Sequence, residues 1–234
     1  MILKKIKIGN FAVFIQLYAW QEHKIGKNEF LILPQYIQIK NPNSLEFANR
    51  KGYPYIHIDE SSTHIRISGG IVRQNPIFYL IDEGQIHICD NPTEFKKIGE
   101  NDVLTLNCTA MLEFLAFGYA IGNRTLLSDI YQVQAGEVIE IDDNGVETVD
   151  EFIYDTTPIY DISENELKTK LENVLFEIFE ETVNQIDGKT VLVPLSGGYD
   201  SRLLAAMLRL VGYENVICLN YGIPYNTIET PPSE

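Results

Sequence analysis

The sequence predicts an α+β, mostly antiparallel region over residues 1–155, a linker over 156–162 and an α/β region over 163–234. Three observations carry this. Short apolar runs broken by turn residues fill the first region, as paired strands require. A capped stretch with helical periodicity opens the last region at Ser163. Behind it, an almost wholly apolar run at 191–195 (VLVPL) stands between two helical patterns, as a strand of a buried parallel sheet does.

Taken in order, Lys4, Lys5 and Lys7 precede an apolar stretch over 11–20. The outline is that of a signal peptide, but Gln16 interrupts it and no small-residue cleavage site follows, so a β-strand fits better. Residues 76–81 (PIFYLI) read as a strand, Asp82, Glu83 and Gly84 as a turn, and 85–89 (QIHIC) as the returning strand. Residues 110–119 have a helical pattern that ends near Gly118 or Gly122. Residues 137–141 and 146–149, with DDNG between them, form a second hairpin. The linker holds Pro158 and no periodicity.

Ser163 and Glu166 make a capping box. Leu167, Leu171, Val174, Leu175, Ile178 and Val183 follow as an apolar stripe, and Gly188 ends the helix. Pro194 lacks an N–H, so the strand at 191–195 should end or bend there. Residues 201–211 are the next helix, stopped by Gly212, and 216–220 the next strand. This is a β-α-β unit of Rossmann-like type.

The formal charge of −15 argues against a general nucleic-acid binder, because phosphate contacts need Lys and Arg. The three cysteines, Cys89, Cys108 and Cys218, have no CxxC spacing, which points to reduced thiols in a cytoplasmic protein. No run reaches the ~18 apolar residues of a membrane span.

The chemistry is concentrated in the turn of the β-α-β unit: Leu195, Ser196, Gly197, Gly198, Tyr199, Asp200 and Ser201. It falls between a strand's carboxyl end and a helix start, where open α/β sheets bind ligands. Two glycines let the backbone approach an anion, and the amides of the turn point at it. Ser196 and Ser201 add hydroxyl donors. Asp200 would repel phosphate alone, so its natural role is to hold Mg²⁺. Arg202 stands equally as a phosphate partner or a surface residue. The GxxxxGK(S/T) pattern and its lysine are absent, which excludes a Walker A loop.

The loop resembles the SGGxDS motif of the ATP pyrophosphatase (PP-loop) enzymes, and the chain resembles asparagine synthetase and its relatives. Residues 219–224 (LNYGIP) look like that family's second strand, where the resemblance puts Tyr221 by the adenine and counts Gly222 with it among the ATP-binding residues. Residues 76–79 look like its PLYY segment. Residues 114–119 and 122–127 resemble its FLxxGYxPGxRTLF stretch, and 133–137 stand where it has LPPGH. The resemblance implies that ATP and Mg²⁺ are bound, that a carboxylate is activated as acyl-AMP with release of pyrophosphate, and that an amine displaces AMP. It also implies that residues 1–155 are a degenerate glutaminase-like domain of the N-terminal-nucleophile (Ntn) hydrolase type.

Two departures shape the expectation. The family's glutaminase nucleophile is a cysteine exposed when Met1 is removed, whereas Ile2 stands here and no cysteine precedes Cys89. The NGEIYN-like glutamine-binding stretch is missing as well. No glutaminase activity is therefore expected, and nitrogen would come from free ammonia or another amine. The chain also reaches Glu234 just after the second strand, where the family's synthetase domain continues. The expectation is either a fragment or truncated copy that binds ATP weakly or not at all, or a chain whose synthetase domain is completed by a homodimer contact or a partner chain.

Other residues read plainly. His23, His57, His64 and His87 are scattered strand or surface histidines, and no catalytic residue is assigned. Asp142 and Asp143 fit a turn, and Glu177, Glu180 and Glu181 a solvated helix face. Three functions remain open: the amide ligase with a small-molecule carboxylate acceptor; other PP-loop chemistry such as tRNA modification; and a non-catalytic scaffold or interaction protein.

Overall fold

The computed structural model describes residues 1–37, 45–97, 105–158 and 161–220, and is mixed α+β. It divides into two compact units, Met1–Asp155 and Thr156–Glu234.

The first unit holds two sheets. One has the order β1-β2-β8-β7-β9, built from β1 (Ile2–Ile8), β2 (Phe11–Leu17), β8 (Gln85–Cys89), β7 (Phe78–Asp82) and β9 (Ile130–Gln132). Only β2 and β8 run parallel in it. The other is antiparallel throughout, with the order β11-β10-β6-β5-β4-β3: β11 (Gly145–Asp150), β10 (Glu137–Asp142), β6 (His64–Ser68), β5 (Tyr55–Asp59), β4 (Glu29–Pro34) and β3 (Trp20–Lys24). Strand alternation turns one face of each sheet inward. Val13, Ile15, Ile86 and Ile88 from one sheet meet Ile56, Ile58, Ile65, Ile67 and Ile141 from the other in a single buried cluster. On the outer face of the second sheet, Ala48 of α1 (Leu45–Lys51) covers Leu31, Leu33 and Tyr55.

Both expected hairpins are present. The β7–β8 turn is Glu83-Gly84, with φ of 41° and 81°, the left-handed pair that a two-residue hairpin favours. At the β10–β11 turn the Asp142 carboxylate accepts the N–H groups of Asn144 (2.7 Å) and Gly145 (3.1 Å), so Asp142 is a turn residue. β1 was not foreseen: lysines alternating with Ile2, Ile6 and Ile8 hide the strand in a basic run. Lys4 is half-buried, paired with Glu22 at 2.5 Å and 4.2 Å above the Phe30 ring.

Helix α2 (Cys108–Phe117) begins at Asn107, whose side chain accepts from Ala110 N at 3.0 Å, and ends at left-handed Gly118. The turn after it is tied by Glu113, which pairs with Arg124 and accepts Ile121 N at 2.9 Å. The Arg124 guanidinium and that backbone N–H hold the Glu113 carboxyl below its ordinary range.

The second unit holds α3 (Glu164–Ile186), β12 (Val191–Pro194), α4 (Tyr199–Leu210) and β13 (Val216–Leu219). The capping box forms, with Ser163 Oγ accepting Glu166 N at 3.2 Å. α3 ends one residue before Gly188, at left-handed Asp187. β12 and β13 are parallel and joined through α4, and β12 ends at Pro194 as expected.

Two expectations need correction. The strand at 191–195 is not buried on both faces: Val193 is 3% exposed but Leu192 58%. The stripe on α3 is buried only toward its carboxyl end. Phe179, with Leu175 and Val183, joins Val193, Met207 and Leu208, while Leu167, Leu171, Val174 and Ile178 stay exposed. The reason is common to both: among the described residues α3 and α4 share one cluster on one side of a two-stranded sheet, which is too small to cover the rest.

Candidate functional site

The candidate site is the turn between β12 and α4. Leu195 extends the parallel ladder, its N–H donating to Leu219 O at 2.7 Å, and the chain then leaves the sheet. Gly198 caps α4 in an extended conformation without any side-chain cap bond. The first-turn amides of Tyr199, Asp200 and Ser201 therefore have no intrahelical acceptor, and the positive end of the helix dipole opens at the loop.

The serines hold the loop to itself. Ser196 N donates to Ser201 Oγ at 3.1 Å, and Gly198 N donates to Ser196 Oγ at 3.2 Å. The two hydroxyl oxygens are 3.1 Å apart. The single Ser201 hydroxyl proton also has Ser196 O at 3.2 Å and Gly198 O at 3.4 Å as acceptors. Sequence reasoning assigned both hydroxyls to an anion. In the loop both hydroxyls and the amides of Ser196 and Gly198 bond within the turn, and the amides of Tyr199, Asp200 and Ser201 are open donors.

Asp200 is exposed in the first turn of α4, and among the described residues no hydrogen bond or ion pair engages its carboxylate. Such a carboxylate suits Mg²⁺ shared with a substrate's phosphates, because Mg²⁺ takes one or two protein carboxylates and retains water. Among the described residues no group of three or more His, Cys, Asp or Glu side chains forms a separate metal cluster. Gly198 keeps the loop thin: a Cβ there would meet Ser196 Oγ at 3.3 Å. The residues present thus fit a Mg²⁺-nucleotide. Tyr221 and Gly222 lie outside the described residues.

Arg202 is the residue whose part was left open by its sequence position. Its side chain turns back along the helix toward the amino end, as helical side chains do. Nε donates to Gly198 O and Nη2 to Gly197 O, both at 3.2 Å. Its guanidinium carbon sits 4.7 Å from the centroid of the Tyr199 ring. An arginine four residues after the capping glycine was the available signal.

Cys89, His57 and His87 have structural partners. Cys89 is buried, its thiol donating to Asn91 O at 3.0 Å, and burial pushes its pKa up to about 12. All three cysteines are free. His57 is buried and bonded to Glu29 at 2.8 Å, and His87 stacks on Phe14 at 4.6 Å. Glu177, Glu180 and Glu181 are exposed.

No helix among the described residues is long and apolar enough to cross a membrane. Comparison with protein-family models finds no match to the chain, and comparison with curated proteins likewise finds none.

Proposed function

We propose that the chain is an asparagine-synthetase-like, ATP-dependent amide ligase, with a degenerate Ntn-hydrolase-like unit ahead of a Rossmann-like PP-loop unit. The observation that carries the reading is the loop of residues 195–201: a parallel strand ends, two glycines turn the chain, and an uncapped helix opens with Asp200 in its first turn. In this role the amides of Tyr199, Asp200 and Ser201 receive the terminal phosphates of ATP, and Asp200 would hold Mg²⁺, which would offset their charge. An oxygen of the acceptor carboxylate bonds to the α-phosphorus as the bond to pyrophosphate breaks. The amine nitrogen then bonds to the acyl carbon, AMP leaves, and the amine gives up a proton.

Support for the first half of the reading comes from two mostly antiparallel sheets packed face to face, and from Cys89. That thiol is a core group with a raised pKa, the opposite of an activated nucleophile. In this reading ammonia or another amine is the nitrogen donor. The test is ATP–pyrophosphate exchange with a panel of carboxylates plus ammonia. Exchange abolished by Asp200→Ala supports the ligase; undiminished exchange in that variant refutes the role given to Asp200.

One observation favours a second reading, a non-catalytic interaction module. Leu192, Ile217 and Leu219 leave an apolar face of the β12–β13 sheet exposed. Failure of the wild-type chain to bind Mg-ATP would favour it. tRNA modification has the net charge of −15 against it.

A further inference from the structure

We infer that Arg202 is a positioning residue of the loop: it grips the backbone carbonyls so that the amide side stays turned toward the phosphates. The inference rests on the nucleotide-binding reading for its purpose, but its geometry stands within the protein alone. In a trans peptide the C=O of one residue and the N–H of the next point in opposite directions. Arg202 holds Gly197 O and Gly198 O at 3.2 Å each. The same two planes carry the N–H groups of Gly198 and Tyr199 on their other edges. The first meets Ser196 Oγ at 3.2 Å, and the second opens at the uncapped helix start.

Charge placement supports this. A cation in the first turn of a helix opposes the helix dipole, so Arg202 gains nothing from its position on α4 itself. What it meets there is the negative edge of the loop: Gly197 O, and Gly198 O, which as the N-cap carbonyl also takes the first helical hydrogen bond and has Ser201 Oγ at 3.4 Å. Its planar fork reaches both oxygens through adjacent donors, and the Tyr199 ring at 4.7 Å braces the plane. A lysine has the charge but not the fork. This separates positioning from direct phosphate contact, where the charge itself is what matters.

The experiment uses the full chain as wild type, Arg202→Lys and Arg202→Ala, with two measurements. The first is the backbone amide order parameter of Gly198 and Tyr199 in the free protein. The second is affinity for Mg-pyrophosphate by calorimetry. Positioning predicts order parameters near ~0.85 in the wild type and below ~0.6 in both variants. It also predicts a loss of affinity of about tenfold in both, with lysine failing to rescue. Unchanged order parameters in Arg202→Ala, or affinity restored by Arg202→Lys, would overturn the inference. A wild-type protein that binds no Mg-pyrophosphate would instead count against the phosphate site of the proposed function, and the order parameters would still decide the role of Arg202.

Discussion

Ser201 has one hydroxyl proton and several claims on its oxygen. It accepts Ser196 N at 3.1 Å and faces the Ser196 hydroxyl and two loop carbonyls. Its replacement by alanine leaves Ser196 N without its partner while leaving the helix sequence intact. Ser201→Ala should weaken Mg-ATP binding by about fivefold, near the ~1 kcal/mol of one exposed hydrogen bond, with helix content unchanged by circular dichroism. A variant that binds like the wild type would show that the serine pair does not order the loop. Cys89 makes a prediction of the opposite kind. Burial raises its pKa from 9.0 to about 12, so the folded state favours the neutral thiol. Its contribution to stability is complete below pH 9 and is lost as pH climbs toward 12. Thiol-specific alkylation at pH 9 should label exposed Cys108 and Cys218 quickly and Cys89 only on unfolding, as peptide mapping would read. Rapid labelling of Cys89 in the native protein would contradict its burial.

Elements with an explicit start or stop signal were legible in the sequence. Ser163 with Glu166 marked the start of α3, Gly118 or Gly122 the end of α2, of which Gly118 is the cap, and Asp82 with Gly84 the turn of the β7–β8 hairpin. The start of α4 was expected at 201 and lies at Tyr199, because Gly198, with no side-chain cap, serves as its N-cap. β1 was not legible, since its inward-facing positions include Lys4, whose stem packs while its ammonium pairs with Glu22. The extent of burial was also beyond reach. An apolar run states what can be covered, not what covers it, and so Leu192 and Val193 look alike in sequence yet differ in the fold. The contrast is measurable. Ile67, buried on central strand β6, should lose ~2–5 kcal/mol on Ile67→Ala, whereas Leu192→Ala should stay within ~0.5 kcal/mol. Chemical denaturation of both variants reads the difference, and equal losses would mean the exposed face of β12 is covered in solution.

For the whole molecule, the candidate site was legible as chemistry but not as geometry. The order of residues 195–201, between a strand and a helix, identified the loop. The inward use of both serine hydroxyls and the grip of Arg202 on two carbonyls depend on how the turn closes, which no residue spacing states. The net charge of −15 also works at this scale, since a polyanion would meet strong long-range repulsion, whereas Mg²⁺ halves the charge of a single nucleotide and lowers its repulsion. Calorimetric titration of the full chain with Mg-ATP, beside Asp200→Ala, is the most direct test of the central claim. The account predicts micromolar binding by the wild type and its loss in the variant. No binding by the wild type, or equal binding by both, would contradict a nucleotide site built on this loop.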